Sequence, residues 1–108
     1  MRSSQALSRY VSRPIVIEAV QISALLGTSF ELPDGLPMWV YTSAGRTWSY
    51  ADAELLDGVS AAGAIGIWID TLNGAVFAGP TEYLVRGTQG ELYPCARDIF
   101  EAKYEAVE

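Results

Sequence analysis

The sequence predicts an α+β domain of five or six mostly antiparallel strands, curled into a sheet or a small open barrel, with one main helix. Three observations lead there. The second half alternates short β-branched and aromatic runs with turn dipeptides, as a β meander does. Residues 14–22 read PIVIEAVQI, a strand-forming text that opens on a proline. Finally, Ser49-Tyr50-Ala51-Asp52 matches a capping box, in which a serine and an acid satisfy the free amides at a helix start. A chain of 108 residues supports one core. Residues 1–9 read as a loose polar tail and 10–108 as a single domain.

In the strand Pro14–Ile22 both alternating faces are largely apolar, which predicts burial on both sides with Glu18 near an end or an edge. Pro33-Asp34-Gly35 and Leu36-Pro37 punctuate residues 23–48 as turns, around a short helix near 23–27 and a second apolar segment at Met38–Tyr41. The main helix is expected at about 50–57, with Ala51, Leu55, Leu56 and Val59 on its apolar face. Ile65–Leu72 and Ala75–Ala78 flank Asn73-Gly74, a pair suited to the centre of a type I′ turn. After a turn at Pro80-Thr81-Glu82 come the strand Tyr83–Arg86, the turn Gly87-Thr88-Gln89-Gly90 and a strand at Glu91–Tyr93 that Pro94 ends. Asp98-Ile99-Phe100-Glu101 is a second capping box. It predicts a helical turn running into a final strand through Tyr104 and Ala106.

Composition removes several kinds of chemistry. There is no histidine and one cysteine, Cys95, which excludes a His-based triad, an HExxH metalloprotease, a cysteine/histidine zinc site and an internal disulfide. The formal charge is −6, so phosphate backbones and anionic membranes are repelled, and neither nucleic acid nor membrane is an expected partner. Arg2, Arg9 and Arg13 lie in a segment without acids, read as a solvated terminus rather than an anion site. No uncharged apolar run approaches the roughly 18 residues of a membrane span, and Glu18 cuts short the nearest approach to a signal sequence. A cytoplasmic setting is expected. GxSxG, GxxxxGK[ST] and GxGxxG are absent, and no metal or cofactor is expected.

The stretch YLVRGTQGELYPCARDIFEAKYE, Tyr83 to Glu105, resembles a widespread group of small tailed-phage and prophage proteins of unassigned function. Those proteins also open with a basic-proline strand, here SRPIVIEAVQI, and carry a threonine-leucine-x-glycine turn, here Thr71-Leu72-Asn73-Gly74. The match covers about half the chain. It departs from the group at Pro80-Thr81-Glu82-Tyr83, commonly proline-glycine-aspartate-tryptophan, and at Ala96-Arg97, commonly lysine-proline. The resemblance implies a phage or prophage origin and a shared fold. It carries no catalytic mechanism.

Several residues invite a functional reading, each beside a plainer one. Cys95 lacks any histidine to activate it and reads as a small buried hydrophobe. Arg86, Glu91, Arg97 and Asp98 form the densest mixed-charge cluster. They make either an arginine fork for a phosphate or carboxylate, with Tyr83 or Tyr93 stacking on a ring, or an internal salt-bridge network. Trp39, Tyr41, Trp48 and Tyr50 sit in the least regular region and are either core or an exposed recognition surface. Asp52, Glu54 and Asp57 read as a solvated helix face, and spacing alone gives Glu82 and Glu91 no claim to glycosidase chemistry.

The leading expectation is a non-enzymatic phage accessory protein that blocks a host protein by occlusion, in the manner of inhibitors of antiviral defence such as CRISPR effectors. Trp39, Tyr41, Trp48 and Tyr50 would dock on the partner while acidic residues steer towards its basic face. A second reading sequesters a nucleotide signal through Tyr83, Arg86, Glu91, Tyr93 and Arg97 at a homo-oligomer interface. A third is a minor virion component.

Overall fold

The computed structural model describes residues 16–27, 31–54 and 57–105, and shows an α+β fold with two antiparallel three-stranded sheets. The predicted tail, Pro14 and Ile15, Leu55 and Leu56 of the expected main helix, and Ala106 of the expected last strand lie outside those residues. Strand β1 (Glu18–Gln21) leads through a 3₁₀ turn at Ile22–Ala24 to helix α1 (Met38–Ser43). Strands β2 (Trp48–Ala51), β3 (Gly66–Thr71) and β4 (Gly74–Ala78) form one sheet in that order. The other is β1, β5 (Tyr83–Arg86) and β6 (Leu92–Cys95), ordered β1-β5-β6 and followed by helix α2 (Arg97–Lys103). The expectation of one sheet or an open barrel is therefore corrected to two separate sheets, which meet where β3 packs beside β6.

One core cluster draws on both sheets. Ile22 and Leu25 from the 3₁₀ turn, Val40 from α1, Trp48 and Tyr50 from β2, Ile67 and Ile69 from β3, and Leu84 and Leu92 from the β5–β6 ladder all belong to it. Along β3 the pattern is strict: Ile67 and Ile69 are fully buried while Trp68 and Asp70 between them are exposed.

Five expectations about local structure need correction. The helix at 50–57 is not there: Trp48 to Ala51 run as β2, and Asp52, at φ 57°, ends the strand in the left-handed region. Trp48 and Tyr50 are two residues apart and both buried, so the burial period is that of a strand and outweighs a four-letter capping motif. Asp57 instead builds a loop, its Oδ1 accepting from the amides of Val59 (3.0 Å) and Ser60 (2.9 Å). The same loop offers the Gly58 carbonyl to the Tyr50 amide at 3.1 Å, which covers the outward edge of β2.

The β3–β4 turn is centred on Leu72 and Asn73 rather than Asn73-Gly74, because Thr71 pairs with Gly74. Of these residues only Gly74, at φ 103°, needs the positive dihedral. Thr71 Oγ1 accepts from the Asn73 amide (3.2 Å) and donates to the Gly74 carbonyl (2.7 Å), which pins that register. Pro94 does not end β6 but sits inside it, opposite Leu84. The Gly87 amide bonds to the Glu91 carbonyl, so Pro94 falls on the alternate, non-bonded phase of an edge strand, where a missing N–H removes no ladder bond. The first strand is shorter than expected, and Val16 is exposed rather than buried; Glu18 does lie at the strand's start and on an edge.

Met38–Tyr41 is the start of α1, although its aromatic and β-branched residues are poor helix formers. Burial of Trp39 and Val40, and a Tyr41 hydroxyl that donates to the Pro33 carbonyl (2.7 Å) and accepts from the Leu36 amide (3.2 Å), hold it in place. The helical turn predicted from Asp98 is α2, whose N-cap is Ala96 with no side-chain cap, and Tyr104 and Glu105 beyond it are not a strand.

Candidate protein-docking face

The four aromatics expected to form a recognition surface are structural. Trp48 is 1% exposed and its Nε1 donates to the Val40 carbonyl at 3.2 Å. Tyr50 packs edge-on against it, with centroids 5.1 Å apart, and its hydroxyl donates to the Leu25 carbonyl. Burial pushes the Tyr50 phenol up to about 12, so it stays a neutral donor. Trp39 is 9% exposed, and Tyr41 is the half-buried staple described above. Removing Trp39, Trp48 or Tyr50 opens the core, and removing Tyr41 frees the loop at Pro33 and Leu36.

The exposed aromatics lie elsewhere. On β3 the side chain between Ile67 and Ile69 is Trp68, 47% exposed, and on β4 the residue opposite it is Phe77, 43% exposed. Their rings meet edge to face, with centroids 5.6 Å apart and planes at 71°. Phe77 lies down on the sheet because Gly66 has no side chain. A Cβ there would come within 2.7 Å of Phe77 Cζ and 2.5 Å of the Ala78 carbonyl oxygen. Beside Trp68 runs a shallow groove that includes Gly45, Arg46, Thr47, Ser49, Asp70 and Ala75, with exposed Val59 packed near Gly45. The signal was present in the sequence: in GIWID the alternation places a tryptophan on the solvent phase of a strand.

The charged cluster divides. Arg86 pairs with Glu18 across the β1–β5 ladder (3.0 Å), not with Glu91, whose Oε1 accepts from the Gln89 amide (2.9 Å). Arg97 bonds Glu101 one helical turn away (3.1 Å), while Asp98 accepts from the Ile99 amide. Arg86 lies opposite Leu92 at one end of the β5–β6 ladder, and Arg97 follows Cys95 at the other. The two arginines therefore do not converge on one anion.

Glu91 and Tyr93 instead line a cleft of about 480 Å³ between the β3–β4 and β5–β6 turns, together with Asp70 and Leu72. The ionisable acids of that cleft are Asp70 and Glu91, a lining that repels phosphate. Tyr83 is stacked on Phe100 of α2, 4.0 Å between centroids and 11° between planes, so its face is already occupied. Tyr93 shares that side of the sheet. Its phenol is pushed up to about 12, chiefly by burial and then by the hydrogen bond with Tyr104. Cys95, opposite Tyr83, is half-buried and free.

No helix among the described residues is long and apolar enough to cross a membrane. No family model, curated protein or solved structure matches the chain.

Proposed function

We propose that this protein is a non-enzymatic binding module that blocks a host protein by covering part of its surface, and that it docks through the outer face of β2-β3-β4. The observation that carries the reading is the Trp68–Phe77 pair, two large rings held in fixed geometry on a sheet and left about half in water. Rigid aromatics on regular elements lose little conformational freedom on binding and supply most hot-spot energy. Asp70 and Ser49 flank the rings as a polar rim. The remaining negative charge of the chain speeds encounter with a basic partner surface.

A phage or prophage origin is what the resemblance of residues 83–105 implies, and action on a host protein, including one of antiviral defence, is the analogy that this setting and the small size of the chain suggest. The nucleotide-sink reading has less support, because its arginines lie apart, Tyr83 is stacked on Phe100, and the cleft that Tyr93 lines is acidic. Affinity capture from host lysate, run in parallel with the wild type and a Trp68→Ala/Phe77→Ala variant, tests the proposal. A stoichiometric protein held by the wild type and lost by the variant is expected. Equal capture by both would move the interface elsewhere, and recovery of the protein in purified particles without a host partner would replace inhibition with a virion role.

A further inference from the structure

The two sheets have four edges, and among the described residues three are managed. On the outward edge of strand β2 the Trp48 carbonyl accepts from the Gly45 amide and the Tyr50 amide donates to the Gly58 carbonyl. Strand β6 carries Pro94 and packs beside β3, and β1 carries Glu18 in its ion pair. Among the described residues, strand β4 has none of these devices. Its text is Gly-Ala-Val-Phe-Ala, without charge or proline, and β3 is the one element it packs against extensively.

Which groups face outward on β4 follows from the ladder. The Asp70 amide bonds to the Thr47 carbonyl on the β2 side, so residues 66, 68 and 70 of β3 point to β2, and 67, 69 and 71 point to β4. Their partners Ala78, Val76 and Gly74 are thus satisfied by β3. Ala75 and Phe77 direct their N–H and C=O groups away from the sheet.

We propose that β4 pairs antiparallel with β4 of a second copy of this chain, about a two-fold axis at Val76. In that register Ala75 of one protomer faces Phe77 of its partner, and the pair exchanges both backbone hydrogen bonds. The symmetric pair does the same, so all four outward-facing residues are satisfied at once. The large Phe77 ring lies over the small Ala75 side chain, and Val76 meets Val76 across the axis at the non-bonded position. The occupant is a second copy for two reasons. The outward groups are self-complementary about Val76, as a two-fold interface requires. The seam also holds only Gly, Ala, Val and Phe, so two chains of charge −6 bring no like charges into contact along it. The product is one six-stranded sheet carrying both Trp68–Phe77 pairs on the same side, a surface that stands whether or not those rings also dock on a host protein.

A five-residue seam is smaller than the roughly 1,200 Å² of a stable specific interface, so the dimer dissociates on dilution. Sedimentation velocity from about 5 μM to about 1 mM reads this directly. The wild type shifts from monomer to dimer, and Ala75→Pro, which removes an outward N–H and no ladder bond, weakens association at least about tenfold. Added salt tightens the dimer, because it screens repulsion between acidic chains. Should Ala75→Pro fail to fold, Val76→Cys in a Cys95→Ser background decides. With oxidised glutathione it forms a disulfide dimer, since Cα atoms of a non-bonded pair lie about 4.5 Å apart, whereas Thr88→Cys in the β5–β6 turn does not. A wild type that stays monomeric throughout, a dimer unaffected by Ala75→Pro, a dimer that salt weakens, or cross-linking no better at 76 than at 88 would each overturn the proposal.

Discussion

The two sheets treat their second faces differently. In β1-β5-β6 the side that carries Tyr83, Val85 and Tyr93 is closed by α2: Phe100 stacks on Tyr83, Tyr104 lies 5.0 Å from Phe100, and Val85 is fully buried although it is no part of the main core. In β2-β3-β4 the corresponding side carries Trp68 and Phe77, and no described helix covers them. Similar aromatic residues thus do opposite work. One set consumes its apolar surface in folding, and the other keeps it available, which is why binding is assigned to the second sheet.

Substitutions separate the two roles, and the largest effects are expected inside. Trp48→Ala removes a fully buried indole with its hydrogen bond to Val40, and should cost about 3–5 kcal/mol in thermal or denaturant unfolding. Phe100→Ala uncaps the first sheet. With a half-buried ring and one stacked partner it should cost roughly 1–3 kcal/mol, and expose Tyr83 and Tyr93 to near-ultraviolet difference measurements. Trp68→Ala, on the uncovered sheet and about half in water, should cost roughly 1–2 kcal/mol while removing partner capture. A Trp68→Ala loss as large as that of Trp48→Ala would dissolve the distinction.

Titration sharpens the same contrast. Tyr50 and Tyr93 both have phenols raised from 10.0 to about 12 in the folded chain, chiefly by burial. A raised folded value means the native state holds its proton more tightly than the unfolded chain does. The associated stability is fully present below pH 10 and is lost as pH rises from about 10 to about 12. Unfolding followed across that window should steepen with pH, and Tyr50→Phe should flatten the slope. At the small end, Arg86→Ala breaks an exposed pair with Glu18 and should change stability by about 1 kcal/mol or less, with the difference shrinking in salt.

Much of the fold was legible in the sequence where local signals and burial agree. The β3–β4 hairpin, the turn before β5, the strand Tyr83–Arg86 and the helical turn after Cys95 were all read from turn chemistry and alternation. The misreadings have physical causes. A capping box predicts a helix only if its apolar positions find a helical face, and Trp48 and Tyr50 instead share the inner face of a strand. Met38–Ser43 is helical against its propensity, because Trp39 and Val40 are buried in tertiary contacts no window reveals. The candidate site was missed for a related reason. Trp39, Tyr41, Trp48 and Tyr50 lie in a segment whose text shows no clear period and read as docking anchors, whereas they sit in α1 and β2 and are used in packing, and the exposed tryptophan sits in β3.

The most direct test of this account is hydroxyl-radical footprinting, read by mass spectrometry, of the protein alone at low concentration and of the protein with its captured partner. Trp68 and Phe77 are expected to react in the free chain and to be protected in the complex, while Trp39 and Trp48 stay protected in both. Trp68 and Phe77 equally reactive in free and bound protein would contradict it.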